Sequence, residues 1–318
     1  MWKYIIRRLL ISIPVLLGIT LVIFLLANLM PGDVVDFMMS SEAPMSKDLI
    51  PQLRESLGLD QSIPIRYVLW LKELLKGNLG YSYLTYARVG SLIAKRILPT
   101  LELMGISLLI SVVVGVLLGI ITALKQYSLL DYILTVLGFL GRSIPIFFIG
   151  MLLIYFFALR IPIFPVAGMI TAGANRGITD NIWHLILPLT SLSILRIAEF
   201  LRYSRASMLE VLHSDFIWMA RSKGLKEKWV IFRHAFGNAL IPIITLLGLN
   251  IPVLFSGAII IETVFQWPGL GTLFIFSINQ RDYPVLMGLS LILSIIVLLS
   301  NLLTDIIYSF VDPRIKYE

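Results

Sequence analysis

Long apolar runs constrain this chain more than any other feature of its sequence. Six of them reach about the length, roughly 20 residues, that an α-helix needs to cross a lipid bilayer. Helices are expected there because a segment surrounded by hydrocarbon must satisfy its own backbone hydrogen bonds. The predicted spans are 9–30, about 101–124, about 132–159, about 182–201, 235–261 and 283–304. The sequence therefore predicts an all-α membrane protein with six transmembrane helices.

Three of these runs contain residues that affect the predicted helices. Arg142 interrupts the third run, and Arg196 and Glu199 place two charges in the fourth. Pro242 and Pro252 lie in the fifth, and a proline inside a helix removes one backbone hydrogen bond. The fifth helix is therefore expected to be shorter than its run, or kinked.

The composition supports a bilayer as the solvent of this chain. Of the 318 residues, 58% are hydrophobic and 14% are charged, with a mean hydropathy of +0.91. A soluble domain normally carries roughly 25% charged residues. The net charge of +7 lies beside the apolar runs and forms no stripe, which favours orientation signals over nucleic-acid binding. The absence of cysteine excludes disulfides, thiolate metal sites and thiol catalysis.

Basic residues also predict the orientation in the membrane. The first run continues uncharged from 9 to 30, so we expect a retained span and no cleaved signal. An even number of spans places both termini on one side, and thirteen Lys/Arg fall on that side against three in the short loops opposite. The thirteen are Lys3, Arg7, Arg8, Lys125, Arg202, Arg205, Arg221, Lys223, Lys226, Lys228, Arg233, Arg314 and Lys316; the three are Arg160, Arg176 and Arg281. Both termini are therefore predicted to be cytoplasmic.

The stretch 31–98 would then lie outside the cell and form a small cap. It is too short for a sizeable core of its own. Residues 65–76 have the spacing of an amphipathic helix that Gly77 and Gly80 end, and one or two turns from Leu49 are interrupted by Pro51. The predicted division is a first helix (1–30), the cap (31–98), a five-helix core (99–310) with a loop at 204–238, and a tail (311–318).

The segment 204–242 is the longest basic polar stretch between two apolar runs, and it contains a short predicted helix. Ser214 or Asp215 can cap its first turn, and Gly224 can end it with a left-handed residue. The residues at 216–220 are all apolar. Apolar side chains on a polar loop need a partner that buries them. The alternative is an amphipathic turn that lies on lipid headgroups.

No pattern in the sequence indicates catalysis. The chain lacks a P-loop, an HExxH pair and a Gly-x-Ser-x-Gly turn, so no catalytic or metal-binding residue is assigned. A protein with several spans and no catalytic residues is most simply a conduit, a receptor or a scaffold. An intramembrane enzyme would need a nucleophile or a metal cluster, which is missing.

Polar residues within the spans are the remaining candidates. Glu102, Arg142, Arg196, Glu199 and Asp305 are costly in hydrocarbon, so each is expected to face a cavity or a partner, or to reach the membrane surface. Asn250 and Ser256 are polar residues in the fifth run. We hypothesise that Asn250, Ser256 and Arg142 line a pathway, although Asn250 could equally bond two helices together.

Several motifs in order along the chain carry a resemblance to a known family. Residues 220–225 (ARSKGL) are followed by 234–239 (HAFGNA) and Pro242. The other motifs are LGLD (57–60), RYVLWL (66–71), GNLGYS (77–82), RILPTLEL (96–103), ETVFQWPGLG (262–271) and DPRI (312–315). Together they resemble the permeases of ABC importers, of the oligopeptide/dipeptide family and its first-subunit type. The family's cytoplasmic loop is named for Glu-Ala-Ala followed by Gly; here Trp218, Met219 and Ala220 stand in the first three places, so a Glu-based salt bridge is not expected.

The resemblance implies a function and a set of partners. It implies a subunit of the bacterial-type inner membrane that pairs with a second homologous permease, two cytoplasmic ATPases and an external substrate-binding protein. ATP and Mg²⁺ would be bound by the ATPases, so no cofactor is expected in this chain. The substrates implied are di- or oligopeptides; the same family also serves nickel complexes, glutathione-like compounds and oligosaccharides. A secondary transporter, the alternative class, usually shows inverted repeats, and none is found.

The resemblance also assigns roles in the polar segment. Residues 215–223 would be a coupling helix seated in a groove of an ATPase, with Phe216, Met219 and Ala220 inserted, and Lys223 and Gly224 fixing the end of the helix. The full predicted coupling set is Asp215, Phe216, Met219, Ala220, Arg221, Lys223, Gly224 and Leu225.

Overall fold

Helices make up most of the described chain. The structure, a computed structural model, describes residues 2–29, 35, 49–56, 58–171, 173 and 177–311. These residues form twelve α-helices and two π-helical turns, Tyr155–Arg160 and Val230–Ala235. The helices are α1 (Trp2–Leu29), α2 (Leu49–Ser56), α3 (Ile63–Leu75), α4 (Val89–Leu124), α5 (Leu129–Ser143), α6 (Ile146–Ile154), α7 (Ile178–Leu212), α8 (Asp215–Ser222), α9 (Glu227–Trp229), α10 (Phe236–Val264), α11 (Leu270–Asn279) and α12 (Tyr283–Val311).

The apolar helices confirm the prediction of an all-α membrane protein. Within the described ranges, 5 helical segments are long and apolar enough to cross a membrane, or 6 if α5 and α6 count as one broken span. The unbroken segments are Ile6–Leu29, Val89–Leu124, Ile178–Leu212, Glu227–Leu254 and Tyr283–Ile306. The predicted short helix of the polar segment is present as α8, and the amphipathic helix predicted at 65–76 is present as α3.

The third predicted span is not one continuous helix. The structure ends α5 at Ser143 and starts α6 at Ile146, with Ile144 in an extended conformation (φ −95°, ψ 129°). Pro145 explains the break, because a proline disfavours the helical conformation of the residue before it. The third predicted span, about 132–159, is therefore present as two helices.

The fourth and fifth spans are longer than predicted. Helix α7 continues past residue 201 to Leu212, so the first nine residues of the predicted loop at 204–238 are helical. The backbone is also helical without a break from Glu227 to Val264, through both prolines. Of the two expectations for the fifth helix, shorter than its run or kinked, these bounds exclude the first. Helix α11 was not predicted from the sequence. Pro51 lies in the first turn of α2, where a proline does not interrupt a helix.

The chain divides into two compact units, and the first comprises Met1–Pro99 with Gly269–Leu298. In this unit α3 lies against α1, since the Tyr67 hydroxyl and the Thr20 hydroxyl are 3.0 Å apart. The side chain of Asp282 accepts hydrogen bonds from the Ser82 hydroxyl (2.5 Å) and the Tyr83 amide (3.1 Å).

The second unit comprises Thr100–Pro268 with Leu299–Glu318, and it contains most of α4 and all of α5 to α10. Helix α4 packs closely on α7 at two glycines one turn apart. A Cβ atom added at Gly115 would lie 2.6 Å from the Phe200 Cβ, and one at Gly119 would lie 2.6 Å from the Leu201 carbonyl oxygen. Small residues of this kind let helices approach in membranes, where hydrocarbon burial provides no drive for helix association.

Polar side chains also join the helices of the second unit. The Thr100 hydroxyl donates to the fully buried carboxylate of Glu262 (2.6 Å). Arg205 of α7 forms a two-point ion pair with Asp131 of α5, at 2.6 Å and 2.8 Å. Because Asp131 is buried, this pair is expected to hold the first turn of α5 against α7 more firmly than an exposed pair could.

Candidate functional site

The short helix predicted at 215–223 is present as α8, and residues at both of its ends have the backbone conformations expected of helix termini. Ser214 is the N-cap residue, with φ −80° and ψ 150°. Its hydroxyl does not cap the first turn, since it donates backwards to the Val211 carbonyl (2.5 Å). Gly224 follows the helix with φ +75°, which confirms its prediction as the left-handed residue.

The two faces of α8 have different surroundings. Ile217 and Ala220 are 0% and 6% exposed, and they belong to a buried cluster with Met208 of α7, Val230 and Ala235 of the π-helical turn and Ala239 of α10. Trp218 and Met219 point outwards and are 63% and 59% exposed, with Phe216 at 43% on the flank. The helix is therefore anchored by one apolar face and presents a second one to its surroundings.

This arrangement corrects the prediction for Ala220. The alanine had been expected to insert into a partner protein, but the structure buries it in the core of this chain. Trp218, which had not been assigned a role, is the most exposed apolar residue of the helix instead. The sequence could not separate the two faces because all five residues at 216–220 are apolar, so their pattern has no period.

The turn after α8 is closed by an ion pair that the sequence reading did not foresee. The Arg221 guanidinium donates from Nη2 to Glu227 Oε1 (2.7 Å) and from Nε to Oε2 (3.3 Å). The hydrogen bond to Glu227 raises the pKa of Arg221, so this guanidinium stays charged at any physiological pH. Arg221 thus holds α8 against the start of α9, across the turn at Gly224.

The other predicted coupling residues lie at the surface around this turn. Asp215, Lys223, Gly224 and Leu225 are exposed, and Asp215 is in the first turn of α8, where a negative charge is favourable. Two further apolar residues, Trp229 and Phe232, are 58% and 65% exposed on the next helical segment. Asp215, Lys223, Gly224 and Leu225 thus lie between two candidate membrane spans, and Trp229 and Phe232 lie at the start of the second span.

The three predicted pathway residues are not brought together by described contacts. Asn250 is 6% exposed, and its side-chain amide donates to the Leu246 carbonyl of its own helix (3.0 Å). The side chains of Arg142 in α5 and Ser256 in α10 lie outside the described part of the structure. Their lining of a pathway remains a prediction.

Comparison with known proteins identifies the family. Residues 115–317 match the model of binding-protein-dependent transport system inner membrane components, and residues 1–104 match the N-terminal model of such membrane components. The chain is 41% identical to the oligopeptide transport system permease protein AppB of Bacillus subtilis, with 100% of each chain covered. It is 35% identical to the dipeptide transport system permease protein DppB of Escherichia coli K12, again with 100% of each covered.

The fold has a counterpart among solved structures. A chain of the MetNI methionine ABC transporter, in an inward-facing conformation, superimposes with a TM-score of 0.57 at 16% identity, and covers 70% of this chain and 96% of its own length. At that identity the likeness concerns the fold alone. The two family models and the full-length relatives carry the assignment: this chain belongs to the family of binding-protein-dependent transport system inner membrane components.

Proposed function

We propose that this chain is a permease subunit of an ATP-driven importer and forms half of the pathway for di- or oligopeptides that an external binding protein delivers. The names of its full-length relatives, which refer to oligopeptide and dipeptide transport, support the substrate class. A second, homologous permease supplies the other half of the pathway. Two cytoplasmic ATPases bind ATP and Mg²⁺, so this chain carries no catalytic residue and no cofactor of its own.

The observation that carries this proposal is the outward apolar face of α8. Trp218 and Met219 are more than half exposed on a helix that lies between two candidate spans. Exposed aromatic and methionine side chains beside basic residues are typical of protein interfaces. A groove on an ATPase would bury this face, and the exposed Lys223, Lys226 and Lys228 would meet its rim.

The inward face of α8 explains how contact could be converted into movement of the spans. Ile217 and Ala220 share one buried cluster with Val116 and Ile120 of α4, Phe200 and Met208 of α7, and Ala239 and Ile243 of α10. Closely packed interiors transmit displacements because they have few voids. A shift of α8 against an ATPase therefore moves three spanning helices with it.

The orientation follows from the distribution of basic residues. Both termini and α8 lie in the cytoplasm, and 31–98 lies outside, as the thirteen-to-three asymmetry of Lys and Arg indicates. The protein is accordingly a multi-pass component of a bacterial-type inner membrane. This orientation places α8 on the side where ATP is available.

The test is a set of substitutions on α8 in the assembled transporter. Trp218→Glu and Met219→Glu should release the ATPase on purification, or uncouple ATP hydrolysis from peptide uptake, because each places a charge in the buried groove. Met219→Leu keeps the volume and the apolar character, so it should retain both activities. Ala220→Glu should instead lower the thermal stability of the permease itself, since it buries an unpaired charge in the core of this chain.

One result would replace the proposal. If Trp218→Glu and Met219→Glu both retain the ATPase and import peptides at the normal rate, α8 is an amphipathic turn on lipid headgroups.

A further inference from the structure

Arg196 is a buried arginine near the middle of α7 that the proposed coupling does not use. It is 8% exposed, and its Nη1 atom has no hydrogen-bond partner among the described residues. No described carboxylate lies within 4.0 Å of the guanidinium, although Glu199, one turn later, attracts it from a greater distance. A buried guanidinium with an unfilled donor is costly, and charged residues within membrane spans are usually functional.

The serine hydroxyls around this part of α7 donate to backbone carbonyls. The Ser193 hydroxyl, one turn before it, donates to the Ser107 carbonyl (3.3 Å). The Ser111 hydroxyl donates to the same carbonyl (2.6 Å). Glu199 lines a cavity of about 210 Å³ between α5 and α7, together with Arg202 and Arg205. Among the described residues, none of these groups bonds the Nη1 atom of Arg196, so this donor can bind a ligand.

Asn250 lies at the same level of the neighbouring helix. Helices α7 and α10 run antiparallel, since the Ser207 hydroxyl bonds the Ala239 carbonyl (3.1 Å) at one end and Leu185 clusters with Ile261 at the other. Arg196 lies 11 residues before Ser207, and Asn250 lies 11 residues after Ala239. At 1.5 Å per residue, both lie about 16 Å from that contact. Two buried polar side chains, a guanidinium and an amide, thus mark one level of the apolar interior.

We propose that Arg196, with Asn250 at its level, binds the C-terminal carboxylate of the peptide as it crosses the membrane. A guanidinium presents parallel N–H groups that match the two oxygen atoms of a carboxylate, and the match is stronger where water is excluded. Because Arg196 is shielded in this conformation, the carboxylate reaches it when the helices around α7 separate during transport. This inference rests on the proposed function, and it adds which group of the peptide is recognised, the C-terminal carboxylate.

The experiment compares a peptide with its C-terminal amide. The complete transporter, in proteoliposomes with one unchanged binding protein, is supplied with ATP and with either a tripeptide or its amide. The wild type should import the acid roughly tenfold faster or more, the factor expected for a hydrogen bond to a charged group. In Arg196→Met the ratio of acid to amide uptake should fall to about one, because acid uptake is lost and amide uptake is retained. In Arg196→Lys the ratio should lie between those of the wild type and Arg196→Met. The matched control Arg202→Met, six residues along the same helix, should keep the wild-type preference.

A stability measurement separates ligand binding from a structural role. Arg196→Met should leave the melting temperature of the ligand-free complex unchanged or raise it, because it removes an unpaired buried charge. If the variant melts lower and loses the second permease, Arg196 pairs with that subunit and the inference is overturned. An unchanged acid-to-amide preference in Arg196→Met, or no preference in the wild type, overturns it as well.

Failure of the proposed function would look different. A wild-type complex that imports no peptide refutes peptide import, but Arg196 can still be tested with acetate. Acetate should raise the melting temperature of the wild type, and not that of Arg196→Met, whereas acetamide should affect neither. Equal protection of both proteins by acetate contradicts a carboxylate site at Arg196.

Discussion

The Thr304 hydroxyl of α12 donates a hydrogen bond of 2.8 Å to the Gly248 carbonyl of α10. This carbonyl lies four residues before Pro252, so it is the one that a helical N–H at position 252 would bond. Proline has no N–H, and the Thr304 hydroxyl supplies a donor from the neighbouring helix, shared with the Ser300 carbonyl of α12, which is also 2.8 Å away. Gly248 permits the approach, because a Cβ atom at that position would lie 2.7 Å from the Thr304 Cγ2.

Removing the hydroxyl of Thr304 should destabilise the protein in a way that depends on Pro252. Thr304→Val keeps the shape of the side chain and leaves a buried carbonyl without its donor, at a cost of about 1–3 kcal/mol. In a Pro252→Ala background the backbone N–H returns, so the same substitution should cost much less. A double-mutant cycle on thermal unfolding measures this difference.

The matched control for Thr304→Val is Thr245→Val in α10. The Thr245 hydroxyl bonds a carbonyl of its own helix, that of Ile241, at the exposed surface. We expect a smaller effect there, independent of Pro252. Equal costs of Thr304→Val with and without the proline would show that Thr304 does not replace the missing donor.

The close approach of α4 to α7 gives a second prediction. Gly119→Ala should destabilise by about 1–3 kcal/mol, because its methyl group would meet the Leu201 carbonyl oxygen and the Ser204 Cβ, both 2.6 Å away. Gly105 lies in the same helix with nothing within 4 Å of a Cβ atom. Gly105→Ala should therefore be neutral or slightly stabilising, since alanine is the better helix former. Thermal unfolding of the two variants compares them, and similar losses would mean that α4 and α7 are not closely packed.

The limits of the sequence prediction appear at α7 and α8. The apolar runs predicted the candidate membrane spans. They did not predict that α7 continues to Leu212, because the residues after 201 are largely polar. That extension is held by contacts distant in the sequence, the Arg205–Asp131 ion pair and the Ser207 bond to Ala239. No periodic pattern within 201–212 contains information on these partners.

Local chemistry was predictable where one residue determines the backbone. Gly224 was predicted to adopt a positive φ because glycine adopts it without strain, and the structure has it at +75°. The inward position of Ala220 depends instead on the clustering of α4, α7 and α10, which a run of five apolar residues does not reveal. The partner assignments came from the family resemblance, and the contacts they require remain predictions.

The pH dependence of the first unit should depend on Asp282. Burial raises the pKa of this carboxyl group above its ordinary value of about 4, in spite of the hydrogen bond from Ser82. The folded protein therefore holds the proton to a higher pH than the unfolded chain does. The stability from protonated Asp282 is fully present below the unfolded pKa, and it is lost as the pH rises through the higher folded pKa.

Asp282→Asn should remove this loss, so the stability of the variant should fall less than that of the wild type as the pH rises from about 4.

Glu73→Gln is the contrasting variant. The hydrogen bond from Lys76 lowers the pKa of Glu73, so the contribution of Glu73 is present above its unfolded pKa and is lost as the pH falls. Thermal unfolding across this pH range measures both slopes. An identical slope for the wild type and Asp282→Asn would exclude titration of Asp282 as the cause.

The orientation of the chain can be tested with single cysteines, because the natural sequence contains none. Ser56 and Ser222 are both exposed in the structure, at the end of α2 and the end of α8, so either cysteine should react readily with a reagent that reaches it. In intact cells a thiol reagent that does not cross the membrane should label Ser56→Cys and leave Ser222→Cys unlabelled. Both should be labelled once the membrane is permeabilised, which controls for reactivity. The opposite pattern would place α8 outside the cell, away from ATP, and would contradict both the orientation and the proposed contact with an ATPase.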